Sequence, residues 1–411
     1  MRLVGYDSQI PLNSRYSFNY YSRSYVLIAI YFSFASIFEI VLTKSFQATP
    51  QQLSIIFTLA TSANLISIFA LRKVSSASRL KVLLVTISLG ALSYCLLATT
   101  YFYKVAFFAI TIMSIHYFAN PVYLLCNTSF LREIYDKKFR GRLFSVTQSI
   151  GFLVSIVVSL TIPPLLDFYP NSYVFFFPIV GALAFFGIFR LQRMKLKPTA
   201  WKVREREPVF KTLFSVLNPR EPFFYFEMFF MVYGFGFLMN LPVQLTFFEQ
   251  ELNLNYTDFG IAWILIPNLL LASLSFGFGR FFDRFDPFRV ASIFFLILAF
   301  FNLFLYFSQN LTDVFIAKGI YGIAMSGVNL AWNLGPLYFA HDSESPERYI
   351  SAHIFLTGVR GLVAPQLGIS VADAFGLRET FFVCFLVLLV ASLGMFVAYR
   401  KFVFQKEKQI I

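Results

Sequence analysis

The residues in this sequence that could do chemistry are the ionisable side chains set inside long apolar runs. Glu39 stands in Ile37-Phe38-Glu39-Ile40-Val41, His116 and Lys318 each lie within an apolar stretch, and Arg360 sits in Gly358-Val359-Arg360-Gly361. A charge near the centre of a bilayer costs about 2.5–3.5 kcal/mol on insertion scales, so such residues face a cavity or a partner. A carboxyl group in apolar surroundings keeps a proton that water would remove, so Glu39 suits reversible proton carriage; a structural hydrogen bond or snorkelling to the nearby surface competes with that role. His116 reads either as a proton carrier or as a satisfied packing residue. Arg360 could bind an anionic solute, or pair with Glu39 or Glu227 as a structural lock; its flanking glycines permit close approach of a neighbouring helix.

Amides form a second set. Asn120 and Asn127 share one run with His116, while Tyr233, Asn240 and Gln244 follow Glu227 in another. Asn329 and Asn333 are four residues apart, hence on one helix face, with Trp332 beside them. An amide pair next to an indole suits solute contact, although amides also join helices inside membranes. Gly234-Phe235-Gly236 and Pro242 would let their helix bend, or ease its packing. The three cysteines, Cys95, Cys126 and Cys384, each lie in an apolar run and make neither a disulfide framework nor a metal spacing. With no metal cluster, phosphate-cradling loop or Ser/His/Asp set in the sequence, we expect no cofactor and no enzymatic activity.

What must position these groups is a membrane-embedded helical bundle. Only 13% of the 411 residues are charged and 58% are hydrophobic, against about 25% charged in soluble domains; mean hydropathy is +0.68. A spanning helix needs roughly 20 mainly apolar residues. Such runs fall at 25–43, 53–71, 82–101, 105–131, 143–166 and 172–190, then at 223–248, 258–279, 290–308, 312–340, 349–371 and 380–399. The expected organisation is a cytoplasmic segment at 1–24, a six-helix bundle at 25–190, a basic linker at 191–222, a second bundle at 223–399 and a cytoplasmic tail at 400–411. With both termini on one side, that side collects 29 Lys and Arg and the other only Lys44, Lys104 and Arg378. The positive-inside rule therefore puts both termini in the cytoplasm. It also places His341 and His353 near the cytoplasmic end, where hydration accounts for them. The net charge of +13 is thus read as meeting membrane lipid rather than nucleic acid, and Val209 to Leu217 as a linker helix at the inner headgroups. The N-terminus lacks the pattern of a cleaved signal peptide.

Gly279-Arg280-Phe281-Phe282-Asp283-Arg284-Phe285-Asp286-Pro287-Phe288-Arg289, between the eighth and ninth runs, resembles the loop signature of the major facilitator superfamily. The corresponding loop of the first half, around Ser75, keeps its basic residues but has neither Gly nor Asp. The resemblance implies an all-α integral membrane fold of twelve transmembrane helices in two pseudo-symmetric bundles. It also implies a cytoplasmic gate in which Asp283, with Arg284 and Gly279, meets Arg140 and Arg142 at the start of the fifth helix. It makes the first, fourth, seventh and tenth helices the cavity lining, so Asn120, Asn240, Gln244, Asn329, Trp332 and Asn333 become candidates for solute binding. Glu39, His116, Arg360 and Lys318 become candidates for proton or ion coupling. The expected activity is secondary transport of a small organic solute by alternating access, coupled to protons, by a monomer in a cell membrane such as a bacterial inner membrane. The alternatives are multidrug efflux, a non-transporting sensor or scaffold, and a polytopic lipid enzyme.

Overall fold

The computed structural model describes residues 10–66, 79–136, 138–192, 194, 215–282, 286–340 and 346–404. Among these residues there is no strand. Twelve helices order the described chain: α1 (Leu12–Lys44), α2 (Pro50–Ser62), α3 (Arg79–Leu96), α4 (Ala106–Ile134), α5 (Arg140–Phe168), α6 (Tyr173–Gln192), α7 (Pro222–Gln250), α8 (Tyr256–Gly260, Ile261–Leu265 and Ile266–Phe282 in succession), α9 (Pro287–Phe307), α10 (Leu311–Tyr338), α11 (Pro346–Phe375) and α12 (Leu377–Tyr399). Eleven of them are long and apolar enough to cross a membrane; α2 has only thirteen residues before its helix is interrupted at Ala63.

Local chemistry sets the helix ends. A capping box joins Thr49 and Gln52 ahead of α2, with Pro50 in its first turn, and Asn310 and Asp313 make the same box before α10. The Asp286 carboxylate accepts from the Phe288 amide at 2.8 Å to open α9. Gly376, at φ +113°, makes the turn from α11 to α12 that a side chain would strain. Helix α1 begins at Leu12, thirteen residues ahead of the apolar run. The reason is visible in its first turns, where Ser14, Phe18, Tyr21, Ser22 and Ser24 are buried. A helix can bury hydroxyls there because they bond its own carbonyls, as Ser24 does to Tyr20 at 3.2 Å.

The chain divides into two compact units, residues 1–47 with 69–206 and residues 48–68 with 207–411. In the first, α1 packs on α5 and α6, and α3 on α4 and α6. Its centre is aromatic: Phe177 meets Phe34 edge-on at 5.5 Å and stacks on Tyr94 at 5.5 Å. In the second, α7 packs on α11 and α12, α9 on α10 and α12, and α8 on α10. Helix α2 also belongs here, lying along α11. Gly358 and Gly361 make that approach possible, since a Cβ at either would come within 2.7 Å of Leu65 or 2.6 Å of Thr61. The expected range of 25–190 for the first bundle thus differs from the first unit at residues 48–68. Most of the linker, and of the Val209 to Leu217 stretch, lies outside the described residues.

Candidate functional site

The second unit holds the most heavily buried charges. Lys318 on α10 is 1% exposed. Its Nζ donates to Gln244 Oε1 on α7 at 2.6 Å. The ammonium lies 4.3 Å from the ring centre of Trp263, 5.0 Å from Tyr321, 5.3 Å from Phe248 and 5.7 Å from Phe301. Aromatic faces attract a desolvated cation by roughly 0.5–2 kcal/mol each. Trp263 is carried by the Ile261–Leu265 segment of α8, which has π-helical geometry; such bulges re-aim a side chain at the cost of one regular turn. The structure so brings together Gln244, expected to contact solute, and Lys318, expected to couple ions. The rings enclosing them come from α7, α8, α9 and α10, and no single-helix periodicity signals that convergence.

Arg360 on α11 is 4% exposed. Its Nη1 donates to the Phe230 carbonyl of α7 at 2.5 Å, and the guanidinium lies 5.6 Å from the Tyr233 ring centre. The space it fills is left by Gly234, where a Cβ would overlap the guanidinium. Of the partners anticipated for a lock, Glu227 is near enough for its charge to act on Arg360, but its carboxylate is hydrogen-bonded elsewhere. Both Glu227 oxygens, at 2.8 and 3.0 Å, face His353 Nδ1. The hydrated position expected for His353 is therefore corrected: the ring is 2% exposed, clasped edge-on by Phe230 at 5.0 Å and by Trp332 at 5.3 Å. An apolar wall built from two other helices keeps water from it. Glu227 and His353 are 126 residues apart, so sequence spacing carries no sign of the pair.

In the first unit, His116 on α4 is 1% exposed and shares a hydrogen bond of 2.5 Å with Tyr31 Oη on α1. Tyr94 and Tyr117 flank its ring at 5.3 Å each. The Glu39 charge reaches both of these tyrosines, so the two coupling candidates of this unit occupy one neighbourhood. Asn120, one turn beyond His116, is half-buried, and its side-chain oxygen has no hydrogen-bond partner among the described residues. Asn127 accepts from Tyr21 Oη at 2.7 Å.

The remaining candidates are dispersed. Asn240 is hydrogen-bonded to Asn302 of α9, a link between helices. Asn329 and Asn333 are exposed, share a face, and are tied by the Asn333 amide donating to the Asn329 carbonyl at 2.7 Å. Of the gate residues, Asp283 and Arg284 lie outside the described residues; Gly279 is in the last turn of α8, and Arg140, at the start of α5, donates to the Tyr135 carbonyl at 3.4 Å. Arg142 lies in the first turn of α5. Among the described residues no group of His, Cys, Asp and Glu could hold a metal ion.

A family profile described as the Major Facilitator Superfamily matches residues 22–352. The chain belongs to that superfamily. Solved structures agree on the fold. The nucleoside transporter NupG superposes with a TM-score of 0.70 at 15% identity, over 92% of this chain and 98% of that one. The human organic anion transporter MFSD10 (TETRAN) gives 0.65 at 14%, over 94% and 100%, and the E. coli fucose:proton symporter FucP gives 0.59 at 14%, over 93% and 99%. A comparison with curated protein sequences returns no match. The protein is accordingly a multi-pass membrane protein with the two-bundle fold of this transporter superfamily.

Proposed function

We propose that this member of the superfamily carries a small organic solute across a cell membrane by alternating access of its two bundles, coupled to protons, as a monomer with both termini in the cytoplasm. The observation that carries the reading is the enclosure of Lys318 by Gln244 and four aromatic rings within the apolar second unit. A membrane helix that retains a cation against an insertion cost of about 2.5–3.5 kcal/mol does so for function more often than for stability. Together with Arg360 it favours a solute bearing an anionic group. Solute contacts are assigned to Gln244, Trp332, Asn329, Asn333 and Asn240 on the second unit and to Asn120 on the first. Proton coupling is assigned to Glu39 and His116, with Lys318 and Arg360 as the charges it works against. That MFSD10 is an organic anion transporter and FucP a proton symporter adds support from the fold alone.

The test is a thermal-shift screen of purified protein against carboxylates, organic phosphates, nucleosides and sugars, followed by liposome uptake of each hit. Uptake of an anionic hit that rises with an imposed pH gradient, and a Glu39→Gln variant that no longer responds to it, are the expected results. Equal uptake by Glu39→Gln under the gradient removes Glu39 from the mechanism, and a gradient-independent flux removes coupling.

A further inference from the structure

We propose that Glu227 and His353 form a proton-binding dyad in which Glu227 fixes the ring tautomer and His353 Nε2 takes up and returns the proton. The use made of that proton rests on the transport reading above; the site itself rests on geometry. Both side chains are 3% exposed. Nδ1 faces the two carboxylate oxygens at 2.8 and 3.0 Å, so with Glu227 ionised the ring must carry its hydrogen on Nδ1 and donate it. Nε2 is then left as a bare lone pair. It is buried and has no hydrogen-bond partner among the described residues. Buried polar atoms without partners are uncommon in native proteins, and each costs about 1–3 kcal/mol. A histidine serving only to tie α7 to α11 would gain stability by satisfying that nitrogen, as most metal-free buried histidines do. Here Phe230 and Trp332 hold the ring plane while the nitrogen stays open.

Arg360 sharpens the assignment. A guanidinium beside a carboxylate ordinarily makes a bidentate pair. In this unit Arg360 instead gives Nη1 to the Phe230 carbonyl, its Nε has no hydrogen-bond partner among the described residues, and Glu227 keeps to the imidazole. The charged and titratable groups around the dyad come from several elements. Tyr233 stands on α7 and Arg360 on α11. Tyr349 packs near the cluster's end through Phe223, and Lys401, past α12, bonds Tyr225 Oη. Helix α9 offers Phe295, α10 offers Trp332, and α2, Pro50–Ser62, contains no titratable side chain. Uptake forms one Nε2–H bond and turns a neutral ring beside a carboxylate into an imidazolium–carboxylate pair; release reverses it. With Arg360 included, the group goes from neutral to a single positive charge. Anion binding and proton uptake at this place would each favour the other, as linkage requires.

The chain has only three histidines, so protein labelled with 15N-histidine in lipid nanodiscs gives a spectrum that His116→Gln, His341→Gln and His353→Gln assign. In wild type we expect His353 to show a protonated Nδ1 and an unprotonated Nε2 at alkaline pH, the reverse of the usual free-imidazole tautomer. Acidification should add one proton at Nε2. At a fixed pH on that transition, Glu227→Gln should lower the ratio of doubly to singly protonated ring about tenfold, because the carboxylate that attracts the second proton is gone. An Nε2–H tautomer, or no second proton between about pH 4 and about pH 9, overturns the proposal on wild-type protein alone. Because these spectra need no solute, the two readings fail separately. A titrating His353 with gradient-independent flux removes only the coupling, whereas gradient-driven flux with a silent His353 removes only the dyad.

Discussion

At the scale of single residues, the second unit shows how a membrane protein makes buried charge tolerable. The Lys318 ammonium has an amide oxygen at 2.6 Å and aromatic faces around it. Removing one partner of such a bond exposes the other to the full desolvation penalty, whereas removing both does not. We therefore expect Gln244→Leu and Lys318→Met each to lower stability by about 1–3 kcal/mol, with the double variant losing at least about 1 kcal/mol less than their sum. Denaturant unfolding in detergent micelles checks this, and strict additivity would contradict it. Gly234 supplies a second case. A methyl at 234 meets the Arg360 guanidinium directly, whereas at Gly236 it meets Leu388 and Val387 at 3.2 Å. Gly234→Ala should consequently destabilise by about 1–3 kcal/mol and Gly236→Ala by distinctly less, because only the first displaces a buried cation. Apparent melting temperatures of the two variants make the comparison.

At the scale of helices, the contacts that matter are made by residues too small or too polar to register as apolar patterning. Gly358 and Gly361 admit α2 to the surface of α11. Gly361→Val should push the helices apart and lower the apparent melting temperature by several degrees, while a valine at the open position Gly319, which has nothing within 4 Å, should not. The hydropathy runs located the helix bodies because a bilayer demands about 20 apolar residues whatever their neighbours. They missed the first turns of α1, where the buried Ser22 and Ser24 look polar in sequence yet bond their own helix, and Ser14 accepts from the Asp136 amide. The candidate site was legible only in part, for a related reason. Lys318, Arg360 and Gln244 stand out as polar islands in apolar text, but Trp263, Phe301 and His353 acquire their meaning from partners on other helices. Nothing in their own spacing distinguishes them from packing residues.

At the scale of the whole molecule, the sequence is most explicit about orientation. A division of 29 basic residues against 3 predicts that a phosphatase reporter active only outside the cytoplasm will be silent when fused after Ile411 and active when inserted after Lys104. Activity at Ile411 would mean that the helix count between the two points is wrong by one. The superfamily match over residues 22–352 adds the two-bundle architecture, and the solved relatives, at 13 to 15% identity, add the fold without adding a cargo. The cargo must come from the side chains of this chain.

The partnership of α2 with α11 also sets a timetable. Thr61 and Gly361 are separated by 300 residues of chain, which at roughly 5–20 residues per second takes a ribosome about 15–60 s to make. Through that interval α2 can gain α7 as a neighbour but not yet α11, and the second unit cannot close until translation is almost over. Membrane insertion and tertiary folding are thus separated in time for this helix. A chain stalled before residue 346 would leave the α11-facing side of α2 open to a chaperone, a neighbouring lipid or a protease.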